Sequence, residues 1–364
     1  MAENVFNSVG QKIFNHLQSQ NTAENLGFAG ASFYVMMTII KIWLTGNSKK
    51  QLIHFLSDSG SADSMRGLER IYLHLKDYAK LFSVDDSHSV LFHSCDISRE
   101  YKTFSKVYNI FSERINFTDD IEAQKIMNVW VEHRTNGSIS NVFSRFNPKC
   151  SMVLLNIFMA HPIWGQPFDA EKTKLEDFYV DGAKLRVRMM NQLARYPMII
   201  ERFAKFIFIP INRDKQRAVI VLPQASYSLD DVLQQFKMTH LPAYYERSTI
   251  HYIDLKLPKF NLFSSKDISN TLKYFNVTYL FESHNDEFRD IAGPNGYIKK
   301  VIQVVKVVID ESDDHGIRKT DLITNMDAIT SDFHVDKPFL FLIYDFRRRI
   351  VLLSAAITNP NSIY

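Results

Sequence analysis

The period of the apolar residues shortens near residue 150, and helical patterns return after it at 229–236 and 265–275. Before that point most apolar residues recur at helical spacing, and after it short apolar and β-branched runs predict strands. The predicted helices cover 2–20, 31–46, 48–56, 64–82, 99–108, 121–135, 229–236 and 265–275. Helices followed by many strands favour an α+β fold with large mixed or antiparallel sheets, because parallel α/β folds alternate the two elements.

Composition and charge exclude several classes of partner. The 364 residues are 46% hydrophobic and 23% charged, with a net charge of +3 at pH 7, which is ordinary for a globular protein. Lysines and arginines are scattered, so nucleic-acid binding is not indicated. No apolar run approaches the ~20 residues that span a bilayer, and the amphipathic start of the chain does not resemble a secretory leader. We therefore expect a protein of the cytoplasm, or one secreted without a cleavable leader.

The common catalytic and metal-binding motifs are missing from the sequence. It contains no GxGxxG, GxxxxGK[ST], GxSxG or HExxH. The two cysteines, Cys95 and Cys150, allow one disulfide but no thiolate zinc site. On a predicted strand His93 and Cys95 share a face while His88 lies on the other, so these three do not converge on a metal. The sequence predicts no enzyme, no metal and no cofactor.

A long polar segment interrupts two apolar runs near the C-terminus. VIQVVKVVI (301–309) and KPFLFLIYDF (337–346) are rich in β-branched and aromatic residues, which predicts buried strands. Some two dozen mostly polar residues, 310–333, lie between them. Loops of that length inside a compact domain are usually functional or disordered, so this segment is the first candidate for a functional site.

Six short motifs, in order along the chain, carry a family resemblance. Asn128-x-Trp130-Val131 followed by Thr135-x-Gly137-x-Ile139 resembles the serpin pattern N-x-W-V-x-x-x-T-x-G-x-I. The other five are Asn156 with Trp164 and Pro167-Phe168, Ala218 to Pro223, Leu257 to Phe260, Lys337 to Phe341, and Asn359-Pro360. The motifs run from Asn128 to Pro360, and the resemblance covers roughly 25 to 360, so the chain is identified as a divergent member of the serpin family.

The resemblance implies a single domain over 1–364, with about nine helices and three β-sheets, the largest being sheet A. It also implies an exposed reactive centre loop at about 311–333. In an inhibitory serpin a protease cleaves this loop, which then inserts into sheet A as a new strand and carries the trapped protease along. The implied partner is therefore a protein, with a protease as one candidate, and we expect a monomer.

The hinge of this loop departs from the family pattern. After the hinge glycine, Gly316, inhibitory serpins continue with small residues, whereas this chain continues with IRKTDLI. Because side chains alternate along a strand, Ile317, Lys319, Asp321 and Ile323 would point inward on insertion. Burying an unpaired Lys or Asp costs roughly several kcal/mol, and pairing of Lys319 with Asp321 on the same face would reduce this cost without removing it. The residues that the resemblance assigns to the loop and hinge are Asp314, Gly316, Ile317, Lys319, Asp321, Ile323, Met326 and Thr330.

The loop is also short for an inhibitor. Carrying a protease to the far pole takes about 15 inserted residues, or roughly 50 Å of strand. Counted from Gly316, that length places the bait residue at Thr330, almost on the next strand, with Met326 as the candidate in a shorter register.

The residues that control sheet opening are partly altered. The family's Ser-Pro-x-Ser is replaced by Ala29-Gly30-Ala31-Ser32, which keeps only the last serine. Asn156 and Trp164 are retained, but the histidine that pairs with this asparagine falls at Lys306 in the alignment. Two interpretations remain open: nearby positions have co-adapted around a shifted alignment, or opening is relaxed in this chain.

Three functions follow from these observations. The first is a non-inhibitory serpin that binds a protein partner, and the alternative is a suicide inhibitor of a serine or cysteine protease. The third, carriage of a small ligand, has no positive signal in the sequence. Glycosylation of the sequons at Asn116, Asn136 and Asn276 stays open.

Overall fold

The computed structural model describes residues 2–56, 87–143, 152–212, 215–283, 286–294, 296–311 and 330–362. The α-helices in these ranges are Ala2–Gln20 (α1), Gly30–Trp43 (α2), Gly46–Leu56 (α3), Arg99–Lys106 (α4), Asp120–Arg134 (α5), Leu229–Gln235 (α6), Leu241–Arg247 (α7), Ser269–Tyr274 (α8) and Arg289–Ala292 (α9). Short 3₁₀ helices cover Ala170–Lys172, Met238–His240, Tyr279–Phe281 and Asp286–Phe288. The predicted helix at 64–82 and Cys150 lie outside the described residues.

Fourteen strands lie in the described ranges. They are Leu26–Phe28 (β1), Ser87–His93 (β2), Ile110–Arg114 (β3), Met152–Ala160 (β4), Lys174–Val180 (β5), Ala183–Ile200 (β6), Ala204–Ile211 (β7), Gln216–Pro223 (β8), Thr249–Pro258 (β9), Phe260–Asp267 (β10), Ile298–Ile309 (β11), Thr330–His334 (β12), Phe339–Asp345 (β13) and Ile350–Ile357 (β14). Helices dominate before β4 and strands after it, which confirms the predicted α+β class.

The chain divides into two compact units. The first contains Met1–Ala31, Ala160–Ser264 and Lys306–Tyr364. The second contains Ser32–Met159 and Ser265–Val305.

The first unit contains a nine-stranded sheet. Its order is β1-β14-β13-β8-β7-β6-β9-β12, with β5 pairing to β6. Every residue of β13 and β14 is buried, because their runs are apolar without alternation, as expected for strands covered on both faces. The edge strand β12 alternates instead, with Phe333 fully buried and Asp332 exposed.

The second unit contains most of a five-stranded sheet in the order β10-β11-β4-β2-β3. β2 pairs antiparallel with β4 and parallel with β3. Trp130 on α5 packs edge-on against Phe92 of β2, with ring centroids 5.7 Å apart, and near Phe111 of β3 at 6.3 Å. Trp130 is thus a packing residue of this unit.

Two features differ from the sequence expectation. The described strands form two sheets and not three, because the 18-residue strand β6 pairs with β5 and β9 and also with β7. The predicted helix at 265–275 is shorter, since its first residues continue β10 and α8 begins at Ser269. The three sequon asparagines are exposed, and their glycosylation stays a prediction.

Candidate functional site in the five-stranded sheet and at the end of β11

A buried polar cluster lies within the second unit, where α2 meets β2, β4 and β11. Asn156 of β4, which is fully buried, accepts hydrogen bonds at Oδ1 from Ser32 Oγ (2.8 Å) and Gln303 Nε2 (2.7 Å). Its Nδ2 donates to Ser89 Oγ at 3.0 Å and to Ser87 Oγ at 3.4 Å. These five residues are called the Asn156 cluster below. Because both ends of the amide are satisfied without water, the cluster fixes the relative positions of the elements that carry it.

Two residues that were predicted to control sheet opening, Ser32 and Asn156, both belong to the Asn156 cluster. Ser32 and Asn156 are brought into direct contact, 2.8 Å apart. The partner expected from β11 was Lys306, but the structure places Gln303 in that role. Lys306 lies three residues further along the strand and is half-buried. Successive side chains of a strand point to opposite faces, so positions 303 and 306 face opposite ways. A neutral amide at 303 also avoids the desolvation that a buried ammonium would suffer.

A small cavity adjoins the Asn156 cluster. It has a volume of about 20 Å³ and is lined in part by Ser32, Ser89, Met36 and Tyr108. A cavity of this size holds about one water molecule. It does not offer room for an organic ligand.

A second group of contacts, within the first unit, holds the end of β11. The fully buried Trp164 donates from Nε1 to the carbonyl oxygen of Asp310 at 2.7 Å. His161 Nε2 lies 2.8 Å from Asp310 Oδ1. The Trp164 ring packs edge-on against Phe168 with centroids 5.2 Å apart. Both the backbone and the side chain of Asp310 are thus held.

The next residue, Glu311, is held as firmly as Asp310. Thr173 Oγ1 donates to Glu311 Oε1 at 2.6 Å, and Lys259 Nζ forms an ion pair with Oε2. Burial would raise the pKa of the Glu311 carboxyl, but the hydrogen bonds from Lys259 and Thr173 outweigh it, so this pKa lies below its usual range. The set made of His161, Trp164, Thr173, Lys259, Asp310 and Glu311 is called the Trp164 cluster below.

The predicted loop residues are mostly outside the described part of the chain. Asp314, Gly316, Ile317, Lys319, Asp321, Ile323 and Met326 fall in 312–329, which the structure does not describe. Thr330 is the exposed first residue of β12, where it pairs in register with Tyr252 of β9. The described chain therefore stops at the Trp164 cluster and resumes at β12.

The serpin resemblance assigns Asn156 to the point where the sheet opens, and the five-stranded sheet is closed there. β4 and β11 are hydrogen-bonded neighbours, and Asn156 and Gln303 connect them through their side chains. Val153, Leu154, Leu155 and Ile157 of β4 are all fully buried. Because successive residues point to opposite faces, both faces of β4 are covered.

Several residues of the site were not predicted from the sequence. They are Ser87, Ser89, Gln303, His161, Thr173, Lys259, Asp310 and Glu311. The sequence offered one partial signal, the Leu257-Pro258-Lys259-Phe260 motif, which contains Lys259 but does not say what it binds. Among the helices that the structure describes, none is both long and apolar enough to cross a membrane.

Comparison with known proteins places this geometry in a family. The model of the family described as "Serpin (serine protease inhibitor)" matches residues 4–360. Mouse (Mus musculus) Serpin B11 is 24% identical over 365 residues, covering 92% of this chain and 93% of the relative. The crystal structure of native protease nexin-1 with heparin matches with a TM-score of 0.86 at 22% identity, covering 99% of both chains. The crystal structure of human thyroxine-binding globulin in complex with thyroxine matches with a TM-score of 0.88 at 18% identity, covering 99% of both chains. On the family match over nearly its whole length, the chain belongs to the serpin family.

Proposed function

We propose that this serpin does not inhibit proteases by loop insertion and acts instead by binding a protein partner. The observation that carries the proposal is the complete burial of Val153, Leu154, Leu155 and Ile157 along β4. A strand inserted beside β4 would also be covered on both faces, so the side chains on both of its faces would be buried.

Neither register of an inserted loop keeps all of its charged side chains out of the core. With one face inward, Lys319 and Asp321 point to the core; with the other, Arg318 does. A buried unpaired charge costs roughly several kcal/mol even after relaxation. Either register therefore removes much of the stability that an inhibitory serpin gains on insertion.

The position of Thr330 also argues against protease inhibition. Its backbone belongs to β12, paired with Tyr252 of β9, and a protease binds its substrate as an extended segment free on both sides of the scissile bond. Cleavage after Thr330 would require the start of β12 to leave the sheet. That requirement makes Thr330 a poor bait residue.

A working suicide inhibitor is the second candidate, with bait residue Met326 or Thr330. It is favoured by the closed five-stranded sheet, in which Asn156 and Gln303 still join β4 to β11, since an inhibitory serpin starts from a closed sheet. The description of the family as serine protease inhibitors also favours it. Small-ligand carriage gains no support from the 20 Å³ cavity.

The test is incubation of the full-length protein with a panel of serine and cysteine proteases, followed by denaturing electrophoresis. We expect cleavage within 317–330 without any detergent-resistant adduct. The double variant Lys319→Ala/Asp321→Ala removes the charges from the inward face, and its cleaved form should insert its loop. Lys125→Ala/Glu122→Ala, on the exposed face of α5, is the matched control and should behave as the parent. A stoichiometric adduct with the parent protein would overturn the proposal.

A further inference from the structure

Two strands that are far apart in the chain share a polar face in the first unit. β12 runs parallel to β9, with Asp332 opposite Asp254 and His334 opposite Lys256. Because side chains alternate, these four side chains lie on one face of the strand pair. Phe333 and Leu255, both fully buried, lie on the opposite face. The register is therefore fixed by the buried face, and the polar residues are held side by side on the other.

Three groups on this face can act as metal ligands. His334 Nε2 lies 3.0 Å from Asp254 Oδ2, and one ligand atom each of Asp254, Asp332 and His334 lie within 4.8 Å of one another. Two ligands of a tetrahedral Zn²⁺, each about 2.1 Å from the ion, are separated by about 3.4 Å. Rotation about the side-chain torsion angles is enough to bring the ligand atoms from their present spacing to about 3.4 Å. Asp332 is exposed, so its carboxylate has room to rotate.

The neighbouring cation, Lys256, has a carboxylate partner outside these three groups. Lys256 Nζ donates to Glu176 Oε2 of β5 at 2.7 Å. Glu176 in turn accepts at Oε1 from Asn191 Nδ2 at 3.0 Å. Glu176 thus balances the charge of Lys256, whose side chain lies on the same face as the three ligands.

We propose that Asp254, Asp332 and His334 form a binding site for Zn²⁺ or a similar borderline divalent cation. One imidazole and two carboxylates are a donor set that suits such ions, with water completing the coordination on the solvent side. The side chains of His334 and Asp254 are 35% and 42% exposed, so an ion can enter without any opening of the sheet.

The bound ion would tie β12 to β9. β12 has only five residues and directly follows the 312–329 segment that carries the bait loop in the serpin family. A metal that binds the folded form alone stabilises it, and here it would do so at the strand that anchors the loop. Binding of the ion does not depend on whether the loop inserts, so this proposal can be tested separately from the proposed function.

The test is calorimetric titration of chelator-treated, tag-free full-length protein with Zn²⁺, together with thermal melts. We expect one Zn²⁺ per chain and a melting temperature that rises with Zn²⁺, while Mg²⁺, which prefers oxygen ligands in octahedral geometry, gives no shift. His334→Ala and Asp332→Asn should each weaken binding by at least about tenfold. Lys256→Met should strengthen it, because a positive charge beside the ion is removed.

The matched control is His251→Ala, which removes a histidine of β9 that lies on the opposite face from Asp254. His251 Nε2 contacts Thr249 Oγ1 at 2.7 Å. It should bind Zn²⁺ as the parent does. The metal-free melting temperatures of all variants show whether each one folds, and Asp332→Asn, at an exposed position, serves if His334→Ala does not. The absence of saturable Zn²⁺ binding by the parent, or unchanged affinity in His334→Ala or Asp332→Asn, would overturn the proposal.

Discussion

Gln303 on β11 donates a 2.7 Å hydrogen bond to Oδ1 of Asn156 on β4, and both side chains are buried, at 2% and 0% exposed. The bond joins two neighbouring strands of the five-stranded sheet at Asn156, the residue to which the serpin resemblance assigns control of sheet opening. Separating these strands therefore means leaving a buried amide without its partner, which costs about 1–3 kcal/mol. The Asn156 cluster thus opposes opening of the sheet.

The Asn156 cluster predicts a ranking of stabilities. Asn156→Ala leaves Ser32, Ser89 and Gln303 without their shared partner, and we expect it to lower the free energy of unfolding by about 3 kcal/mol. Ser87→Ala removes only the 3.4 Å contact and should cost less than about 1 kcal/mol. Urea unfolding of the two variants checks the order, and equal losses would contradict the assigned role of Asn156.

The Glu311 carboxylate predicts a pH-dependent contribution to stability. Its pKa is lower in the folded protein than the ordinary 4.5, so its stabilisation is present at neutral pH and is lost as the pH falls below 4.5 through the folded value. Glu311→Gln should melt below the parent at pH 7, and the difference should shrink in acid. Glu122→Gln, exposed on α5, is the control. A difference that stays constant from pH 7 to acid would contradict the ion pair with Lys259.

Two tryptophans provide a matched test of one hydrogen bond. Trp164 Nε1 donates to the Asp310 carbonyl, whereas Trp130 Nε1 is buried and has no hydrogen-bond partner among the described residues. Trp164→Phe should therefore destabilise the protein by about 1 kcal/mol more than Trp130→Phe. Chemical denaturation of both variants measures the difference, and a larger loss in Trp130→Phe would show that the contact with Asp310 contributes little.

The buried Lys41 of α2 predicts a stabilising substitution. Burial, together with the charge of Lys49, lowers the pKa of Lys41 from 10.5 to about 8, and the side chain is only 5% exposed. The folded form thus disfavours the charged amine below pH 8, and stability should rise as the pH increases from 8 to 10.5. Lys41→Met should stabilise the protein at pH 7 by up to about 3 kcal/mol, with a gain that shrinks above pH 8. Lys12→Met on the exposed face of α1 should change nothing, and an equal gain there would contradict the burial effect.

Local pattern was sufficient for most elements but failed where polar side chains sit inside a strand. From local pattern alone, KLRVRMM (184–190) and YPMIIERF (196–203) each predict a separate strand or hairpin arm, with the polar Asn191 and Gln192 between them. The structure runs β6 straight through them. It can do so because Gln192 Nε2 donates to the carbonyl oxygens of Gln166 and Pro167, partners that lie more than 20 residues away and leave no trace in a local pattern.

The candidate sites show the same limit. Ser32, Asn156 and Trp164 were found because they stand in short motifs, but their partners come from distant parts of the chain. The alignment that placed Lys306 beside Asn156 was three residues from Gln303, and an odd shift along a strand moves a side chain to the other face. The residues of the proposed metal site are equally hidden, since Asp254 meets His334 only through the parallel pairing of β9 with β12.

The most direct test of the central claim compares the thermal melt of intact protein with that of protein nicked once within 317–330 by limited proteolysis. If the loop cannot insert, because its charges would be buried beside β4, the melting temperature of the nicked form should stay within a few degrees of the intact value. A rise of tens of degrees would show that the loop becomes a strand of the sheet, would contradict the argument from buried charges, and would justify a search for a target protease.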